Sequence, residues 1–160
     1  MLNSKQFKLC TALLGLTVAI PMASAALATS PSGITPTTFV AADYDGQGHI
    51  NSDRIKFQTK GPTDVSMQKL VFAAGARSGW HHHPGMVIVA VQSGRLTLTD
   101  ANCGSKDYGP GLSNGAVFVE GGDMAVEASS AAGAIVYVTS IAPSTDPRDF
   151  RDEDSPPTCH

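Results

Sequence analysis

The chain has 160 residues, which suits one domain and leaves too little chain for two independent cores. Hydrophobic residues make up 42% and charged residues 16%, so the composition is globular and excludes a highly charged, disordered chain. The formal net charge is −3, and this sign argues against a nucleic-acid partner, because such proteins present a basic face.

Residues 1–25 form a predicted secretory signal peptide. Lys5 and Lys8 supply a basic start, residues 9–20 are mostly apolar, and residues 23–25 (Ala-Ser-Ala) have the small side chains of a cleavage site. The apolar stretch is shorter than the roughly 20 residues of a membrane span. We therefore expect a secreted or periplasmic protein with no membrane association after cleavage. An N-terminal anchor that is not cleaved is the alternative.

Residues 26–54 are rich in Ala, Thr, Ser, Pro and Gly, which predicts an N-terminal arm or loop outside the core. From residue 55 onward, short β-branched runs are separated by Gly, Pro, Asn or Asp, and no stretch keeps a helical period over ten residues. The predicted strands cover residues 55–59, 65–73, 87–92, 95–99, 116–119 and 134–141. This pattern predicts an all-β domain over residues 55–142, built as a small antiparallel sandwich or barrel.

Residues 143–160 are predicted to form a polar surface tail, because Pro and Asp dominate the segment. Cys10 leaves with the signal peptide, so Cys103 and Cys159 are the cysteines of the mature chain. In an oxidising compartment they would form one disulfide that ties the tail to the core. A sequence gives no distances, so it does not decide between a disulfide and two thiols.

The segment 79–85, Gly-Trp-His-His-His-Pro-Gly, is the cluster with evident metal chemistry. Side chains alternate along an extended segment, so His81 and His83 project to one side and His82 to the other. Pro84 favours this conformation in the residue before it. Neutral imidazoles suit Fe, Mn, Zn or Ni, so His81 and His83 are candidate ligands of one divalent metal. Two ligands make only half of a site.

This segment resembles the first motif of the cupin superfamily, in which Gly, His-x-His, Glu and Gly follow one another at fixed spacing. The chain matches that motif at four positions, Gly75, His81, His83 and Gly94. Val87, however, stands at the Glu position. The second cupin motif aligns best with residues 120–125 and Ser129, where Ala125 stands at the histidine position.

The resemblance implies a double-stranded β-helix, or jelly roll, with His81 and His83 lining an interior pocket near Trp80, Val87 and Ala125. It also implies a homodimer. Glu127 is the candidate third ligand, because it shares the strand face of Ala125. Trp80 either packs in the barrel wall or stacks against a ring-shaped ligand.

Two functions remain open at this stage. The first is an exported cupin with a degenerate metal site that binds a small molecule without catalysis. The second is a metal-dependent oxidoreductase or isomerase that uses His81 and His83 as two of its ligands. Val87 and Ala125 stand where the cupin motifs carry metal ligands, so they favour the function without catalysis. The sequence lacks the Gly-x-Ser-x-Gly and phosphate-loop motifs that would favour other enzyme classes.

Overall fold

A computed structural model describes residues 28–46 and 48–158. The predicted signal cleavage site and Cys159 lie outside the described residues. The described chain forms ten β-strands: β1 (Ser32–Tyr44), β2 (His49–Asn51), β3 (Lys56–Gln58), β4 (Thr63–Arg77), β5 (His81–Gly94), β6 (Leu96–Asp100), β7 (Ser105–Tyr108), β8 (Val117–Ser130), β9 (Ala134–Pro143) and β10 (Asp152–Glu153). Within these ranges no helix is long and apolar enough to cross a membrane.

All strand pairings in the sheet are antiparallel. The main sheet has the order β1-β4-β9-β5-β8-β6-β7, β10 adds to β5, and β2 pairs with β3 as a separate hairpin. β4 pairs with β9 over Thr63–Phe72 and with β8 at Ala76 and Arg77. Because β9, β5 and β8 are also neighbours, the sheet closes on itself. This architecture confirms the all-β, jelly-roll prediction.

The strand β1 differs from the sequence expectation of an arm or loop. It pairs with β4 along its whole length, although most of its side chains are exposed. The segment has the low burial expected of an arm, but its run of Thr and Val residues suits an edge strand. Pro36 is tolerated there, because an edge strand has a row of backbone groups without ladder partners. Ile34 is partly buried against the core.

The core fills the interior of the closed sheet. It consists of alternating side chains from the central strands, Phe72, Ala76, Val87, Val89, Val91, Leu96, Phe118, Ala128, Ala134 and Val136. In β6, Leu96 is buried and belongs to this cluster, and Leu98, two residues further on, packs against it. These side chains form the apolar wall in which the polar groups described below are set.

The C-terminal segment returns to the barrel after β9. Residues 150–154, called the strap below, run along the first residues of β5, where Asp152 pairs with His82 and Glu153 with His81. The backbone N–H of Asp154 donates to the Trp80 carbonyl oxygen at 2.9 Å. The tail predicted to lie on the surface is therefore partly a structural element that covers the histidine segment.

Candidate metal centre

His81 and His83 begin β5 and face the interior, as predicted from their alternate positions. They are 4% and 8% exposed, and their rings meet edge to face with centroids 4.8 Å apart. His82 lies on the other side of the strand, where its Nδ1 is 2.8 Å from the Asp154 carboxylate and its Nε2 is 3.3 Å from that of Asp152.

Glu120 on β8 is the third group of the site, and sequence reasoning missed it. Its Oε1 lies 3.3 Å from the His83 Nε2 atom, and one ligand atom from each of His81, His83 and Glu120 lies within 4.8 Å of the others. In the register of β5 and β8, Glu120 pairs directly with Val87. The carboxylate that the first cupin motif would place at Val87 is thus supplied by the facing residue of the neighbouring strand.

Two glycines allow the strands to approach closely beside Glu120. A Cβ atom on Gly121 would lie 2.0 Å from the Gly85 carbonyl oxygen, and one on Gly85 would lie 2.0 Å from the Ile141 carbonyl oxygen. Gly121 also has a φ of 141°, which L side chains rarely adopt. Gly121 therefore lets β8 lie against the segment that follows the histidines, beside the Glu120 carboxylate.

Backbone carbonyl groups determine which imidazole nitrogen carries the hydrogen. His81 Nδ1 is 2.9 Å from the Gly79 carbonyl oxygen, and His83 Nδ1 is 2.5 Å from that of Phe150. A carbonyl oxygen only accepts, so each Nδ1 must donate. In the neutral rings, both Nε2 atoms then present lone pairs, which is the arrangement found in metal-binding histidines whose other nitrogen donates to a carbonyl.

The charges of the site call for a cation. With a neutral His83 ring, its Nε2 lone pair and the Oε1 atom of Glu120 are two acceptors that face each other at 3.3 Å. The second carboxylate oxygen of Glu120 is buried without a hydrogen-bond partner. Burial lowers the pKa of His81 to about 4, with a further lowering by the charge of Arg151, so this ring is neutral at pH 7. A divalent ion would satisfy all three groups.

The three groups lie in the wall of a cavity of about 330 Å³. Most of the lining is apolar and comes from core strands and the strap, including Ile34, Leu70, Phe72, Val89, Phe118, Val136 and Phe150. The polar lining includes Arg151 of the strap. An apolar pocket with a few convergent polar groups is the usual form of a small-molecule site.

The structure corrects the pocket residues expected from the sequence. Trp80, Val87 and Ala125 are not among the residues that line this cavity. Trp80 is buried, and its backbone binds Thr29 and Asp154, so it belongs to the wall under the strap. Val87 is part of the hydrophobic core. Ala125 has the opposite parity to Val126 and Ala128, which are buried, so it projects away from the core face.

Glu127 is not beside the histidines either. Its carboxylate accepts a hydrogen bond from Arg77 Nη1 at 2.9 Å, near the end of β4. It lies seven residues beyond Glu120 on β8 and has the opposite parity. An arginine partner on the adjacent strand accounts for its charge, whereas Glu120 forms no ion pair with an arginine or lysine of the described chain.

The chain matches no protein-family model and no curated protein by sequence. Its fold is similar to salicylate 1,2-dioxygenase from Pseudoaminobacter salicylatoxidans, solved with gentisate (TM-score 0.52, 16% identity, 81% of this chain and 30% of that chain). It is also similar to an RmlC-like cupin from Shewanella frigidimarina (TM-score 0.46, 16% identity, 72% of this chain and 80% of that chain). An oxalate oxidase matches over 49% of this chain and 42% of that chain (TM-score 0.40, 22% identity).

The chain therefore shares its fold with the matched part of the salicylate dioxygenase. Compared with the cupin motifs that the sequence resembles, both first-motif histidines are present, Ala125 stands at the second-motif histidine position, and Glu120 lies opposite Val87, the position of the motif glutamate. The candidate site therefore has three protein ligands from two adjacent strands.

Proposed function

We propose that this protein is a cupin, that it binds one divalent metal ion through His81, His83 and Glu120, and that it acts as a metal-dependent enzyme on a small molecule held in the adjoining cavity. The observation that carries the proposal is that one ligand atom from each of these three residues lies within 4.8 Å of the others, while the second carboxylate oxygen of Glu120 is buried without a hydrogen-bond partner. Two histidines and one carboxylate are typical of catalytic zinc sites and of non-haem iron sites that keep positions open.

When bound, the ion would act as a Lewis acid toward an oxygen atom of the ligand. The residues of the chain supply the remaining requirements. Gly79 and Phe150 hold the two imidazoles in one tautomer through their carbonyl oxygens. The apolar lining, which includes Phe118 and Val89, excludes water from the ligand and strengthens the electrostatic contacts inside the cavity.

A cupin that binds a small molecule without catalysis would use the same cavity. The sequence favoured that function because two ligands were missing at Val87 and Ala125. Glu120 lies opposite Val87 and supplies a carboxylate in place of the missing one. This third ligand is our reason to prefer the enzyme. We retain export as part of the proposal, on the strength of the signal pattern in residues 1–25.

Metal titration of tag-free protein tests the proposal, since the native run of three histidines would otherwise be confused with an affinity tag. We expect the wild-type chain to bind about one Zn²⁺ or Mn²⁺ ion. Glu120→Gln, His81→Ala and His83→Ala should each weaken binding by about 100-fold or more, since each removes roughly a third of a binding free energy of about 10 kcal/mol.

Glu127→Gln is the matched control, because it removes the same carboxylate from the same strand at a residue that pairs with Arg77. It should bind metal like the wild type. A folded wild-type chain that binds no divalent metal would refute the proposal, as would equal affinities in the Glu120→Gln and Glu127→Gln variants.

A further inference from the structure

Arg151 brings a positive charge into the cavity of the proposed metal centre. Its side chain lines the cavity, and its Nη2 atom donates to the Ser78 carbonyl oxygen at 2.8 Å. A guanidinium has five N–H donors, and this carbonyl uses one of them. Among the residues that the structure describes, no carboxylate forms an ion pair with it.

The surroundings of Arg151 leave its charge poorly compensated. Burial is the largest influence on its pKa and lowers it, while the nearby charges of Glu153, Glu120 and Asp154 oppose that effect only in part. Transfer of a cation from water into an apolar site is costly unless an anion accompanies it. The cavity wall thus contains a guanidinium with free donors beside apolar surface.

The position of this guanidinium is determined by the strap. On one side, the Phe150 carbonyl accepts a hydrogen bond from His83. On the other side, Asp152 and Glu153 pair with β5, and His82 contacts the carboxylates of Asp152 and Asp154. The residues before and after Arg151 are therefore both held against the barrel. Its side chain enters the cavity from a fixed backbone, unlike that of a mobile surface arginine.

We propose that Arg151 makes the cavity selective for small molecules that carry a carboxylate on an apolar body. The guanidinium binds the carboxylate through two parallel N–H donors, as arginine does in its strongest pairs. The apolar body lies against core side chains such as Phe72 and Phe118. A volume of about 330 Å³ is at the small end of the range for ligand sites, about 300–1,000 Å³, so the ligand is small.

The inference rests on the proposed function in one respect, the effect of the metal. A divalent ion on His81, His83 and Glu120 would repel the guanidinium, and a carboxylate between the two cations offsets that repulsion. Metal and carboxylate should therefore strengthen each other's binding by the same factor, because coupling between two sites is reciprocal.

Benzoate and benzamide test the inference, since they have nearly the same shape and differ in charge. Calorimetric titration of the wild-type protein, with and without Zn²⁺, should give tighter binding of benzoate by at least tenfold. Arg151→Met should abolish this preference while the protein still binds Zn²⁺ at least as tightly as the wild type does without benzoate, because the repelling guanidinium is gone. Arg95→Met is the control, because that arginine pairs with Asp107 on the surface, and it should leave the preference unchanged.

Equal binding of benzoate and benzamide by the wild type would overturn the inference, and so would a preference that persists in Arg151→Met. If Arg151→Met fails to fold, Arg151→Lys replaces it and should lose most of the preference, because an ammonium lacks the planar pair of donors. A benzoate preference that depends on Arg151 in a protein that binds no Zn²⁺ would refute the metal proposal alone. Zn²⁺ binding without any benzoate preference would refute the anion pocket alone.

Discussion

At the scale of single residues, the proposed metal centre depends on a carboxylate that lies opposite the position of the motif glutamate, on the neighbouring strand. Val87 occupies the position at which the first cupin motif carries Glu, and Glu120 faces it directly across the β5–β8 ladder. Directly paired residues on one face of an antiparallel sheet have Cβ atoms about 4.5–5.5 Å apart. A glutamate at either position can therefore reach the same imidazole pair.

An exchange of these two residues tests their spatial equivalence. We expect Glu120→Val to lose metal affinity by about 100-fold or more, since it removes one of three ligands. The double variant Val87→Glu with Glu120→Val should recover a measurable part of that loss in the same Zn²⁺ titration. A double variant that is folded and binds no better than Glu120→Val would show that the two positions are not interchangeable.

The sequence allowed prediction of the histidine pair but not of Glu120. Alternation along one extended segment is a local property, so the shared face of His81 and His83 followed from their spacing. The contact with Glu120 depends on the register between β5 and β8, which joins residues more than thirty positions apart. The available signal was parity: Glu120 shares the face of Phe118, a buried core residue, and is the charged residue on that face.

At the scale of elements, the strap has the largest consequence for the site. It belongs to the tail of residues 143–160, whose many Asp and Pro residues predicted a segment with little to bury, and the side chains of the strap are indeed mostly polar. Its backbone and two of its side chains nevertheless complete the cavity, since Phe150 and Arg151 line it. The composition of a segment indicates how much of it is buried on average. It cannot show that two particular residues of a polar tail line a cavity.

The anchor between His82 and the strap predicts a pH dependence of stability. The hydrogen bond that the His82 ring donates to the Asp154 carboxylate raises the pKa of His82, helped by the charges of Asp154, Asp152 and Asp123. A raised folded-state pKa means that the protonated ring stabilises the fold. This stabilisation is complete below the unfolded pKa of about 6.5 and is lost as the pH rises through the higher folded value.

Urea unfolding of metal-free protein between about pH 6.5 and pH 9 measures this effect. The free energy of unfolding of the wild type should fall with rising pH more steeply than that of His82→Gln. His81 does not interfere in this window, because its pKa of about 4 affects stability only below about pH 6.5. Equal slopes in the two proteins would contradict the anchoring role of His82.

The prediction of elements from the sequence succeeded where hydrophobic patterns are strong. The core strands β4, β5, β6 and β9 each overlap a predicted run. β1 was missed because its exposed side chains carry no alternating pattern. β8 was predicted to end at residue 119, but it extends to Ser130. It continues through Gly121 and Gly122, where its pairing with β5 shifts in register.

At the scale of the whole molecule, the closed sheet provides the rigid support that a three-ligand site needs. The ligands come from β5 and β8, which are neighbours in the closed part of the sheet, and the second nitrogen of each histidine is held by a backbone carbonyl. Sites built on strands hold their geometry better than sites on loops. The fold class could be predicted from the sequence. The cavity could not, because its lining side chains come from strands that are far apart in the chain.

A disulfide between Cys103 and Cys159 remains a prediction, because Cys159 lies outside the described residues. Intact mass spectrometry of exported protein without reductant should show a mass two hydrogens below that of the reduced chain, and digestion should release a linked peptide pair. Cleavage of the signal should appear in the same spectrum as a chain that begins near residue 26. The bridge would stabilise the fold by about 4 kcal/mol, since it closes a long loop. An unchanged mass after reduction would exclude it.

The most direct test of the account is anomalous scattering from crystals of the tag-free protein grown with Zn²⁺. We predict one strong peak inside the barrel, about 2.0–2.2 Å from the Nε2 atoms of His81 and His83 and from a carboxylate oxygen of Glu120. The peak should be absent in Glu120→Gln crystals grown in the same way. An empty interior in the wild type, or a peak only at His82 and the strap carboxylates, would contradict the proposed metal centre.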